Sequence, residues 1–150
     1  MRIREATLDD AEAIHALNHA AYSVHNDPHR PPLAALKDTL DDVRGYVRDS
    51  TVLVAEDDAG RIVGTVALRR VANVRRLAVA PDAKENGLGA TLLKAAVERG
   101  RKEGFEVAEL DTMAGHPWLP GFYERHGFAE RGLLRMKDGT EWVAMRRKLS

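Results

Sequence analysis

One hundred and fifty residues is about the usual size of one domain, and a chain this long buries roughly 70% of the surface its unfolded form exposes, enough for a core without metal or disulfide staples. Hydrophobic residues make up 44% and charged residues 31%, which excludes a disordered or fibrous chain. Twenty-three Lys plus Arg balance 23 Asp plus Glu, so no overall charge draws the chain to nucleic acid or an anionic membrane. Zero cysteines exclude a thiol nucleophile, a disulfide framework and thiolate zinc sites, and fit a reducing cytoplasm. The opening MRIREATLDD is too charged for a signal peptide, and no apolar run reaches the length of a membrane span. The expectation is a single cytoplasmic domain over residues 1–150.

Thr7 and Asp10 form a capping signal for a first helix, along which Ala11, Ile14, Leu17 and Ala21 recur at helical spacing. Three prolines and an Asn-Asp pair make residues 25–32 (HNDPHRPP) a loop. Leu33, Leu36, Leu40 and Val43 predict a second helix ending near Gly45. Strand-like runs follow at Thr51 to Glu56 and Ile62 to Leu68, joined by the turn Asp57 to Gly60, and a third at Val74 to Val79 ends before Pro81. From Leu88 to Glu103 the pattern is helical again, with Leu92, Leu93, Ala96 and Val97 on its apolar face and Gly104 as the left-handed cap. A strand at Val107 to Thr112, a short helix from about Trp118 to Arg125, and two strands bracketing the turn Lys137 to Gly139 complete the chain. This alternation predicts an α/β class of fold with a mixed sheet and helices on both faces.

The chemistry concentrates in two segments. In Leu77 to Leu93 (LAVAPDAKENGLGATLL) a buried strand runs into a loop carrying Gly87 and Gly89, which opens directly onto an amphipathic helix. Glycines there let the backbone approach a ligand, and the unpaired N–H groups at the helix start make an anion site suited to phosphates. The Walker pattern is excluded because Ala90 and Thr91 follow Gly89, and the Rossmann fingerprint because Leu92 stands where its third glycine belongs. The bland alternative is a helix entry that merely turns tightly. The second segment is Gly121 to Phe128 (GFYERHGF), where Tyr123 lies on the short helix. A tyrosine hydroxyl, with an ordinary pKa of about 10, is protonated at neutral pH and able to donate to a leaving group. Phe122 reads as core packing.

Together the two segments resemble the GNAT acyltransferase superfamily. Leu77-Ala-Val-Ala-Pro81 followed by Lys84-x-x-Gly87-x-Gly89 is similar to its acyl-CoA motif, and Phe122-Tyr-Glu-Arg-His-Gly-Phe128 to its second hallmark. The resemblance covers the whole chain and implies that family's fold, with a mostly antiparallel central sheet, and N-acetyl transfer from acetyl-CoA to a primary amine of a small molecule or peptide. It implies that the strand at Leu77, Ala78 and Val79 presents backbone groups to the pantetheine arm and thioester. Main-chain amides of Lys84, Glu85, Asn86, Gly87, Leu88, Gly89 and Ala90 would hold the pyrophosphate, and Tyr123 would protonate the departing thiolate. Lys84 departs from the usual arginine, losing the bidentate fork, and Glu85 adds a carboxylate. His116 stands where the family often has Asn, and Leu119 where it often has Ala. With no cysteine and no serine in a nucleophile elbow, attack by the amine is expected to be direct. An acyl-CoA-binding sensor without turnover is the alternative, against which the presence of Tyr123 argues.

Three readings stay open on sequence alone. Glu56, Glu109 and Asp111 are candidates for the general base, each with an ordinary surface role as the bland option. His15 and His19, like His25 and His29, are four residues apart, but Ala16 and Pro28 break the zinc-protease pattern, so no metal is expected. Arg69, Arg70, Arg75 and Arg76 form either a solvated, ion-paired face or a subsite for a carboxylate-bearing acceptor. Neither nucleic acid nor membrane is an expected partner, and the closing hairpin leaves a homodimer open.

Overall fold

The chain runs through β1 (Arg2–Glu5), α1 (Ala11–Ser23), α2 (Ala34–Lys37), α3 (Leu40–Asp49), β2 (Thr51–Glu56), β3 (Ile62–Arg69) and β4 (Asn73–Val79). It continues through α4 (Leu88–Lys102), β5 (Val107–Met113), α5 (Leu119–Arg125), β6 (Ala129–Arg135) and β7 (Glu141–Lys148). The computed structural model describes residues 1–24, 33–69 and 72–149, with main chain alone for Lys84, Glu85 and Asn86. One seven-stranded sheet has the order β1-β2-β3-β4-β5-β7-β6, in which β4 and β5 are the single parallel neighbours.

Strands β2 and β3 are apolar at almost every position because both sheet faces are covered. Val52 and Val54 point to α1 and α3, packing with Ile14 and Val43; Leu53 and Ala55 point the other way, into a cluster with Leu92, Leu93 and Ala96 of α4. Gly64 lets α4 come this close, since a Cβ there would lie 2.6 Å from Leu92 Cδ1. At its far end α4 stops at Gly104 (φ +86°), and the Phe105 N–H closes the cap on the Gly100 carbonyl at 3.1 Å.

Two expectations need correction. A strand precedes the first helix: Arg2–Glu5 pairs antiparallel with β2, although its four residues are mostly polar, because as an edge strand it buries little. The single helix expected from Leu33 to Gly45 is two. Asp38 is extended (ψ 127°), and Thr39 starts α3 afresh, its Oγ accepting from the Asp42 N–H at 3.1 Å while Asp42 accepts from the Thr39 N–H at 2.9 Å. Gly45 lies inside α3, which runs on to Asp49. The proline-rich segment 25–32 lies outside the described residues.

Candidate active site

The parallel strands β4 and β5 pair only at Asn73 and Glu109 and then part. On the other side of β4 the ladder to β3 continues, with Ala78 opposite Thr65, Val79 opposite Gly64, and the Ala80 N–H donating to the Val63 carbonyl at 2.8 Å. In an antiparallel ladder main-chain groups alternate sides. Those of Ala78 therefore face β3, and those of Val79 open into the gap. Leu77, Ala78 and Val79 thus wall one side of a cleft of about 400 Å³.

The floor of the cleft is the start of α4, where Gly87, Gly89 and Ala90 line it. Gly87 holds φ +66°, a left-handed conformation that turns the preceding 3-10 segment Pro81–Asn86 into the helix. Among the described residues no side chain caps α4, so the N–H groups of its first turn point out with the positive end of the helix dipole. At Gly89 a Cβ would sit 3.8 Å from Phe122 and 3.9 Å from Val79, both of which line the cleft. Leu88, by contrast, turns its side chain into the core, leaving only its main chain to the site.

The opposite wall comes from α5. Tyr123 lines the cleft while its ring packs edge-on against Phe122 (5.1 Å) and Phe128 (6.1 Å). Its hydroxyl engages no hydrogen-bond partner among the described residues, and burial pushes its pKa up to about 12, so it stays protonated. Phe122 packs against the core and also lines the cleft, beyond the role expected for it. His116 serves α5 rather than the cleft wall: its Nδ1 accepts from the N–H groups of Trp118 (3.3 Å) and Leu119 (3.1 Å), capping the helix that carries Tyr123.

Of the other expected residues, Lys84, Glu85 and Asn86 lie in the 3-10 segment leading to Gly87. The general-base candidates are not among the cleft residues. Glu56 is bound by Arg4 on the β1–β2 side, and Glu109 lies 3.7 Å from Arg146. The arginines have separate partners: Arg75 donates to Asn73 Oδ1 at 3.0 Å, Arg76 pairs with Asp38, and Arg70 is outside the described residues. His15 Nε2 meets the Asp38 carbonyl at 2.9 Å, whereas His25 and His29 are not described. Among the described residues no metal-holding group of His, Asp and Glu is assembled.

Sequence reasoning missed Tyr22, which lines the cleft and donates its hydroxyl to the Leu77 carbonyl at 2.9 Å. It also missed Trp118 on the α5 side, whereas Leu119, singled out in the sequence beside His116, does line the cleft. A signal for Tyr22 existed: Ile14, Asn18 and Tyr22 fall four apart on α1, placing two polar groups on its inward face.

The family model described as an acetyltransferase (GNAT) domain matches residues 32–149. The chain is 32% identical to S-(2-succino)cysteine N-acetyltransferase of Bacillus subtilis, over 99% of this chain and 96% of that protein. Solved structures with the same fold include two at high coverage. A GCN5-related N-acetyltransferase from Rhodopseudomonas palustris has a TM-score of 0.81 at 17% identity, over 98% of this chain and 94% of that one. Ribosomal-protein-alanine N-acetyltransferase from Brucella melitensis has 0.79 at 23% identity, over 99% of each chain. The chain belongs to the GNAT family, N-acetyltransferases that move an acetyl group from acetyl-CoA to an amine.

Proposed function

We propose that this acetyltransferase holds the pyrophosphate of acetyl-CoA on the main-chain amides between Lys84 and Ala90 and lays the thioester along Leu77–Val79. Tyr123 supplies the proton for the departing sulfur. The observation that carries the reading is that three independent elements, strand β4 at Leu77–Val79, the start of α4 and α5 with Tyr123, line a single cleft. The site also fits the group: the glycine cradle at Gly89 is where a Cβ would obstruct it, and the amides offered suit a diphosphate.

The chemistry follows from these parts. The deprotonated amine of the acceptor adds its lone pair to the thioester carbonyl, and the negative charge that develops on oxygen is met by β4 main-chain N–H. Preorganised donors of this kind contribute about 3–4 kcal/mol each. The adduct's nitrogen, left with one proton too many, releases it to water; on collapse the carbon–sulfur bond breaks, its electron pair goes to sulfur, and sulfur takes the proton of Tyr123, which solvent then restores. Zero cysteines in the chain agree with direct transfer. The match to S-(2-succino)cysteine N-acetyltransferase along nearly its whole length favours an amine on a small molecule as acceptor over a peptide terminus. No described helix is long and apolar enough to cross a membrane, and a cytoplasmic enzyme is the reading that goes with cysteine-free composition and a thioester substrate. A second copy of the chain is the proposed partner for the sheet edge at β6, where Leu133 and Leu134 are exposed; sedimentation velocity tests it.

Calorimetry with acetyl-CoA, followed by thiol release against small amines, amino acids and peptides, tests the assignment. Absence of acetyl-CoA binding by the purified chain overturns it.

A further inference from the structure

Arg76 lies inside β4 with φ +54°, a left-handed conformation that strains a residue with a side chain. The ladder shows where the strain comes from. Ala67 pairs with Arg75 and Thr65 with Ala78, so Arg76 and Leu77 together oppose Val66. That is a β-bulge, and it sits in the strand that walls the cleft.

Two tethers hold it from the α1–α3 side of the sheet. Arg76 Nε donates to Asp38 Oδ2 at 2.9 Å and Nη2 to Oδ1 at 3.3 Å, with only 24% and 15% of the two side chains exposed. Asp38 stands at the break between α2 and α3, where its own carbonyl meets His15 Nε2 of α1. The second tether is the Tyr22 hydroxyl of α1, donating to the Leu77 carbonyl. Burial raises the pKa of that hydroxyl above its ordinary value, which keeps it a donor. A further bond between the helices, from Asn18 Nδ2 to the Tyr46 hydroxyl at 2.8 Å, braces α1 against α3.

We propose that Tyr22 and the Arg76–Asp38 pair are positioning residues for acetyl transfer, locking the β4 bulge so that the main chain from Leu77 to Val79 keeps a fixed angle to the thioester. This rests on the reading of β4 as the bed of the thioester. The Leu77 carbonyl and the Ala78 N–H share one rigid peptide plane, so a bond to the carbonyl sets the orientation of the strand beyond it. Without the tethers, moving the extra residue along the strand would relieve the φ of Arg76 and turn Leu77 away from the cleft. Transfer rates are steep in such displacements, with about 1 Å costing up to 100-fold. Binding of the long carrier, spread over the α4 amides as well, is far less sensitive.

Three variants of the full chain test this: Tyr22→Phe, which removes one oxygen; Asp38→Ala, which removes the carboxylate that holds the guanidinium and leaves the φ of Arg76 as it is; and Arg76→Lys, which keeps a charge for Asp38. The expected result is a kcat about ten-fold lower in the first two, acetyl-CoA affinity by calorimetry within two-fold of the parent, and most of kcat restored in Arg76→Lys. A kcat within two-fold of the parent in both Tyr22→Phe and Asp38→Ala overturns the inference. Equal losses in Asp38→Ala and Arg76→Lys overturn it as well, because the pairing would then be irrelevant. A parent chain that binds no acetyl-CoA overturns instead the reading of the cleft.

Discussion

Replacing Tyr123 by Phe removes one oxygen and leaves the ring, with its edge-on contacts to Phe122 and Phe128, in place. Because the hydroxyl has no hydrogen-bond partner among the described residues, its removal leaves no donor or acceptor orphaned, and the fold is expected to keep its stability at neutral pH. A positioned general acid contributes 10²–10⁴ in rate, so kcat is expected to fall at least ~100-fold, equivalent to about 3 kcal/mol of barrier. Acetyl-CoA affinity should stay within two-fold, since the amides of α4 are untouched. Stopped-flow thiol release and calorimetry read the two quantities separately. The same substitution carries a pH signature. Burial pushes the Tyr123 pKa from 10.0 to about 12, so the folded chain holds that proton more tightly than the unfolded one. Stability from this source is fully present below pH 10 and lost as pH rises through about 12, by an amount on the order of 3 kcal/mol. The phenylalanine variant is exempt, and should gain on the parent across that window in denaturant melts. A kcat within ten-fold of the parent refutes the acid role, and parallel pH–stability curves refute the account of the buried hydroxyl.

Gly89→Ala places a methyl group 3.8–3.9 Å from Phe122 and Val79, a contact the fold accepts. Because alanine favours the helix by up to ~1 kcal/mol, the melting temperature should hold or rise while acetyl-CoA affinity drops about ten-fold. Gly64→Ala drives a Cβ toward Leu92 Cδ1, which is fully buried; a loss of about 1–3 kcal/mol is expected in urea melts. His116→Ala frees two N–H groups at the start of α5, costing about 1 kcal/mol and lowering kcat through Tyr123 more than acetyl-CoA binding, as kinetics beside calorimetry would show. Asp10 is held below the ordinary carboxylate pKa chiefly by its bonds to Arg4 (2.8 Å each), so its stabilisation is present above pH ~4 and lost as pH falls through its lower folded value. Asp10→Asn should flatten that part of the acid melt.

Periodicity made most elements legible, since α4 and the strands β2 to β5 bury faces that their side chains declare. What it could not show was structure fixed by the partner rather than by local pattern. β1 is a strand because β2 has an open edge, and its own Arg-Ile-Arg-Glu carries little alternation. The α2–α3 break is set by Thr39 and Asp42, polar residues inside a run whose leucines keep helical spacing straight across it. At the site, the glycines and Tyr123 stood out because special backbone geometry and a reactive hydroxyl leave a mark on residue type. Tyr22 did not, because its role depends on where α1 crosses β4.

The same distinction explains how a chain of zero net charge can serve an anionic substrate. A diphosphate can be met by basic side chains or by main-chain dipoles, and net charge is informative only about the sum of the former. In the proposed site the field comes from peptide dipoles at the start of α4, fixed partial charges that composition does not record. Gly87 and Gly89 contribute by having no side chain between those dipoles and the ligand. Substituting them is therefore expected to change affinity through shape, and raising the ionic strength to weaken acetyl-CoA binding only modestly, because partial charges fixed in the main chain of a cleft are screened less than exposed lysines are. A salt dependence as steep as that of a lysine-lined phosphate site, measured by calorimetry between low and physiological ionic strength, would show that side-chain charge carries the binding instead.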